Sequence, residues 1–245
     1  MLRTLPVLTF LLLLGGGLAA RAEDYVVVES SAAEIKTGSM IATGTTLTIP
    51  DKARVVLMSG SGKTVALNGP FKGAPPAGDG SGDSSALRAV VAMLGSDDQR
   101  QTPGAVRAAD VAWRNDVVKT FKDVVAVDAT DGGDVCLYDP AAAQVTHNPA
   151  KPGTMIIHAT DGDVAATLTW PAATALMPWP KQLKIEDGTT FLIEQPDQSE
   201  AALATIHLLS ADKAKSDIER VAQMAEAGCK DQAHLLLAVI AKTAK

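Results

Sequence analysis

Residues 41–57 read Ile-Ala-Thr-Gly-Thr-Thr-Leu-Thr-Ile-Pro-Asp-Lys-Ala-Arg-Val-Val-Leu. Leu47, Ile49, Val55 and Leu57 recur at every second position, with Thr and Arg between them. A period of two is the signature of strands with one dry face and one wet face. Pro50-Asp51 breaks the run once, and Gly60-Ser61-Gly62 turns it again. Val65 and Leu67 resume the alternation, and Asn68-Gly69-Pro70 closes it. The stretch from Val26 to Gly69 therefore predicts a small β unit, and the rest of the chain is placed relative to it.

Ahead of this unit stands an export signal. Arg3 supplies a positive start, Leu5–Leu14 an apolar centre, and Ala20-Arg21-Ala22 the small-x-small form of a cleavage site. Residues 1–22 are expected to be removed, and the product is expected in the periplasm. Retention as an anchor is the rival reading. The apolar run Leu5–Ala20 contains three glycines and falls short of the roughly 20 residues of a membrane span. No span is expected after cleavage.

The whole chain carries 22 Lys and Arg against 28 Asp and Glu. Two of the basic residues, Arg3 and Arg21, lie in the leader, so the exported product is more acidic still. An acidic, exported chain is poorly suited to nucleic acid or anionic lipid. Cys136 and Cys229 are the two cysteines. In an oxidising compartment the simplest reading is a disulfide, with two separately buried thiols as the alternative. The bridge would close a loop of about 94 residues, for which chain-entropy models give on the order of 4–5 kcal/mol.

Within residues 25–73, Lys36-Thr37-Gly38-Ser39, Gly44-Thr45-Thr46-Leu47-Thr48-Ile49-Pro50, Ala53-Arg54-Val55-Val56-Leu57, Ser61-Gly62-Lys63-Thr64-Val65 and Leu67-Asn68-Gly69-Pro70 follow one another. This succession resembles the FecR-like periplasmic domain. The resemblance implies a short β-rich module that senses or binds in bacterial envelopes, and it implies no catalytic residues. The iron-dicitrate regulators of that family carry a cytoplasmic arm and a membrane span ahead of the domain. Here the export signal stands there instead, so direct control of a sigma factor is not implied.

Residues 74–115 are expected to be a linker, opened by Ala74–Asp83, with a short helix at about 85–94. Ser84 or Ser85 would cap that helix, Leu87, Val90, Val91 and Leu94 form its stripe, and Gly95 would end it. A helix so short needs a β unit to dock on.

Residues 116–210 are expected to form a second β domain. Strands are predicted at 124–129, 135–138, 144–147, 155–159, 165–170, 182–186, 189–195 and 204–209, with Asp-Gly turns between them. Short strands at this spacing suggest an immunoglobulin-like or fibronectin-like sandwich, with Trp170 and Ile193 in its core. Thr167-Leu168-Thr169-Trp170 and Thr190-Phe191-Leu192-Ile193 are similar to paired strands of fibronectin type III domains. Residues 211–243 are expected to be an antiparallel helical hairpin. Ser210 would cap its first helix and Gly228 end it, with Ala214, Ile218, Val221, Ala222 and Ala225 buried. Asp231 would start the second helix, with Leu236, Val239 and Ile240 buried, and a Cys136–Cys229 bond would staple the hairpin to the second β domain.

Signals of chemistry are sparse. Gly60-Ser61-Gly62-Lys63-Thr64 ends like a phosphate-binding loop, but Leu57 stands where the first glycine belongs, so a plain hairpin tip is expected. Asp131, Asp134, Asp161 and Asp163 could offer oxygens to Ca²⁺, although Asp at turns is ordinary backbone chemistry. His147, His158, His207 and His234 show no metal-ligand spacing. Trp179, bracketed by Pro178 and Pro180, reads either as an exposed aromatic contact for a partner or as a plug over one end of the sandwich. No catalytic residue, cofactor or metal is expected. The leading expectation is a non-enzymatic envelope protein that binds or senses an envelope protein or a cell-wall component. The alternatives are an exported enzyme on a β-rich fold and a structural accessory of a signalling or secretion system.

Overall fold

The computed structural model describes residues 24–76, 82, 84–97, 126–195, 198 and 200–244, the side chains of residues 96 and 97 aside. The expected signal peptide, and most of the expected linker around its helix, lie outside the described residues. Among the described residues the fold is mainly β, with several sheets and three helices, two of them near the C-terminus.

The first sheet has the order β2-β1-β4-β5 and is antiparallel, built from β1 (Tyr25–Ser30), β2 (Met40–Ile41), β4 (Arg54–Ser59) and β5 (Thr64–Asn68). A two-stranded ribbon of β3 (Leu47–Ile49) and β6 (Phe71–Gly73) completes the unit. Gly69 sits where the chain folds back on itself. A Cβ there would lie 1.8 Å from the Pro50 carbonyl oxygen, so only glycine fits.

Alternation along β1 and β4 sends side chains to two different cores. Tyr25, Val27, Val55 and Leu57 join Leu47, Ile49 and Leu67 on one side. Val26, Val28, Val56 and Met58 join the helices on the other. Both faces of the central strands are therefore dry, which corrects the expectation of a wet face. The physical reason is the helical layer. Among the described residues it consists of α1 (Ser84–Asp97), α2 (Asp217–Glu226) and α3 (Lys230–Thr243). They contribute Leu87, Val90 and Met93, then Ile218, Val221 and Met224, then Ala233, Leu237 and Ile240 to the same core. Burying a side chain the size of Val contributes about 1.5–3 kcal/mol, so a face of four such residues cannot stay open.

The helix ends differ in detail from the sequence reading. α1 runs through Gly95 to Asp97. Ser210 opens only a short 3₁₀ turn, and the cap of α2 is Ser216. Its hydroxyl accepts from the Glu219 amide, while the Glu219 carboxylate accepts from the Ser216 amide. This reciprocal box satisfies amides that the first turn leaves without partners. Gly228, at φ +92°, follows the C-cap Ala227 in the position expected of it. Arg54 reaches from β4 to the far end of α3 and donates to the carbonyls of Ala241 and Ala244. A guanidinium there complements the negative end of the helix dipole.

Among the described residues the second β unit has two sheets. The larger has the order β11-β10-β13-β14-β8, from β8 (Gly133–Leu137), β10 (Gly153–Ala159), β11 (Ala165–Trp170), β13 (Thr190–Glu194) and β14 (Ala202–Leu208). The smaller has the order β12-β9-β7, from β7 (Ala126–Asp128), β9 (Gln144–Thr146) and β12 (Leu176–Pro178). The pairs β14–β8 and β7–β9 are parallel, and the others are antiparallel. Between the sheets lie Val127, Val135, Val145, Met155, Ile157, Trp170, Phe191, Ile193 and Ile206. Trp170 and Ile193 are thus core residues as expected. Residues 182–186 form no strand, because Leu183 closes a turn onto the Pro180 carbonyl. The strand at 176–178 was not foreseen, since Pro178 and Ala175 carry no period-two signal.

Gly132 stands at the crossing from the small sheet to the large one, at φ +65°. A Cβ there would meet the Leu203 carbonyl oxygen at 2.2 Å. Conformation and space both demand glycine at this corner.

Candidate functional site at the junction of the two cores

The helical layer meets the second β unit at the edge strand β8. Its alternation splits the strand between two cores. Val135 and Leu137 point inward to the sandwich, while Cys136 points outward to the helical layer. Cys136 and Cys229 are bonded there, with Cα atoms 5.9 Å apart, and both are fully buried. Cys229 lies in the turn between α2 and α3, so the bond ties the helical layer to the second β unit. The same helices fill one face of the first sheet. One bond thus links the first unit, through its helices, to the second.

Several contacts surround the bond. The Cys136 amide donates to Gln232 Oε1 of α3 at 2.7 Å, so a side chain closes part of an edge that would otherwise be open. The Leu209 amide donates to the Leu137 carbonyl. Tyr138 packs against α2, with the Arg220 guanidinium 5.9 Å from its ring centre. Burial pushes the Tyr138 phenol above its ordinary value, and the Arg220 charge partly offsets that. Asp134 lies over Gly228 and pairs with His207 at 2.9 Å. Both side chains are partly exposed, so this pair contributes little to stability.

The expected site residues are distributed as follows. Trp179 is buried, which corrects its reading as an exposed partner contact. Its indole N–H donates to the Leu183 carbonyl, and its ring meets Phe191 edge-on at 4.8 Å. A large ring with its one polar atom satisfied is a plug in the sandwich core. The four aspartates do not converge. Asp134 is on β8, while Asp161 and Asp163 are at the tip joining β10 to β11, at the opposite edge of the sheet. The histidines are also apart. His147 is buried, its Nε2 against the Lys151 carbonyl and its ring edge-on to Trp170. His158 faces Glu194 at 3.7 Å on the outer side of the large sheet. Among the described residues, no group of three His, Cys, Asp or Glu could hold a metal ion. Gly60–Thr64 is a hairpin tip, with the Ser59 amide on the Lys63 carbonyl. Among the described residues no helix is long and apolar enough to cross a membrane.

What the sequence reading missed is the double duty of β8. The signal was present in Asp134-Val135-Cys136-Leu137-Tyr138, where every residue after the aspartate is apolar or aromatic. Such a run marks a strand covered on both sides. Compared with known proteins, the chain matches no family model, no curated protein and no solved structure.

Proposed function

We propose that this chain is an exported, non-enzymatic envelope protein that works by binding, with its first β unit acting as a FecR-like sensing or binding module. The observation that carries the reading is the buried Cys136–Cys229 bond at the meeting of the two cores. A structural disulfide between positions 93 residues apart suits a protein matured in an oxidising compartment. The export signal and the acidic composition point the same way. The segments that carry the FecR-like resemblance supply β3, β4 and β5 and the turns between them. On this reading the second β unit is an immunoglobulin-like sandwich. In its support, β10, β13 and β14 lie side by side as strands C, F and G would, and β7, β9 and β12 as A, B and E would. The parallel β7–β9 pair departs from that pattern.

Both faces of the first sheet are occupied, so the binding surface falls to its rim. The segment 31–46 is mostly exposed there, and Met40 on edge strand β2 is 42 % exposed. Capture of partners from a periplasmic extract tests the reading. The double variant Lys36→Glu, Met40→Glu keeps both cores intact and is expected to lose the partners that the parent chain retains. Identical partners on parent and variant would contradict a rim-binding module.

A further inference from the structure

The five-stranded sheet has two edges, and they are treated differently. At β8 the outward amide of Cys136 is satisfied by Gln232, and the helical layer covers the strand. At β11 no hydrogen bond among the described residues reaches the backbone of Ala165–Trp170 except from β10. The strand reads Ala-Ala-Thr-Leu-Thr-Trp, with no charge, proline or bulge to deter pairing. Natural edges are ordinarily guarded by one of these devices.

We infer that β11 is a pairing edge for a second copy of this chain, the two strands running antiparallel about a two-fold axis at Thr167. Three observations select that partner and that register. First, Val164 directly precedes β11 and is 51 % exposed. By alternation it belongs to the side of Ala166, Leu168 and Trp170, the side of the sandwich core. With Thr167 opposite Thr167, Val164 of each copy stands opposite Trp170 of the other, and the uncovered valine extends the core. Second, the outward positions then pair Thr167 with Thr167 and Ala165 with Thr169. These are small or β-branched, and their cross-strand contacts are favourable. Third, the ends are complementary in charge. The β10–β11 tip carries exposed Asp161 and Asp163, while exposed Lys151 lies at the other end of the hairpin, near the Gly153–Trp170 pair. The antiparallel register brings the acidic tip of one copy to the lysine end of its partner. The interaction is isologous, so it closes at two copies and does not propagate along the edge.

Light scattering coupled to gel filtration, across about 1–200 μM of the purified chain, tests this. The expected result is a concentration-dependent doubling of mass. Thr167→Lys places two like charges opposite one another on the axis and is expected to weaken the dimer at least tenfold, with an unchanged circular dichroism spectrum. Asp161→Lys with Asp163→Lys is expected to weaken it as well, and adding Lys151→Glu is expected to restore it. The charge swap decides the matter even if the Thr167 variant folds poorly. A chain that is monomeric throughout overturns the inference. So does a dimer indifferent to these changes, or a monomer that takes up an unrelated extended peptide at β11.

Discussion

The central strands of the first sheet and those of the five-stranded sheet look alike in length and pairing, yet they are buried differently. β4 carries Val55, Val56, Leu57 and Met58 in succession, all fully buried. β10 alternates, with Met155 and Ile157 buried and Thr154 and Ile156 exposed. A continuous apolar run feeds two cores, whereas an alternating one feeds one core and leaves a face to solvent or to a partner. The difference shows which sheet the helices cover, although two of them, α2 and α3, come only at the far end of the chain, after the whole second β unit.

The largest effect that would break this comparison is a charge placed on each kind of face. Val56→Asp puts a carboxylate into the helix-facing core and is expected to cost more than about 4 kcal/mol, enough to unfold the first unit. Leu203→Asp, on the outer side of β14 where Leu203 is 54 % exposed, is expected to change stability by less than about 1 kcal/mol. Urea titrations followed by circular dichroism would measure both. Equal effects would mean that the two sheets are not buried differently.

Next in size is the link between the regions. Replacing Cys136 and Cys229 together by serine is expected to cost about 2–5 kcal/mol in urea denaturation. A single transition at the parental midpoint would show that the bond contributes nothing. A smaller effect belongs to the sandwich corner. Gly132→Ala meets both a positive φ and the Leu203 carbonyl, and is expected to cost about 1–3 kcal/mol in thermal melts. The smallest sharpens the helical side. Ser216→Ala removes one half of the α2 capping box and is expected to cost about 1 kcal/mol, lowering the melting temperature by a few degrees.

Much of this architecture was legible in the residues. Ala165–Trp170 is a strand with the bounds that alternation assigned to it, and Gly228 ends a helix as its position suggested. The helical hairpin and the cysteine pair also follow from local signals, apolar spacing and cysteine arithmetic. The destination of the hairpin did not. The staple to the second β unit was foreseen, but its apolar stripe lies on the first sheet, and no local period encodes which distant face a helix will cover. The run Val26-Val27-Val28, with Val55–Met58, held that information as a face too apolar to leave open. Trp179 illustrates the opposite limit. Flanking prolines mark a loop, but whether the ring turns inward depends on Phe191 and on the Leu183 carbonyl, which only the folded chain brings to it.

The candidate binding surfaces were less legible than the cores. An edge strand and a central strand share the same alternation, so β11 could not be told from β10 until the sheet order was known. Its open backbone and the uncovered Val164 are properties of placement.

The central claim is that the final helices belong to the first core even though they are bonded to the second. Native-state hydrogen exchange under increasing urea, resolved by segment, tests it most directly. Amides of β1 and β4 are expected to lose protection together with those of α2 and α3, as one cooperative unit distinct from β10, β13 and β14. Helices that open together with β10, β13 and β14, while β1 and β4 keep their protection, would contradict the account.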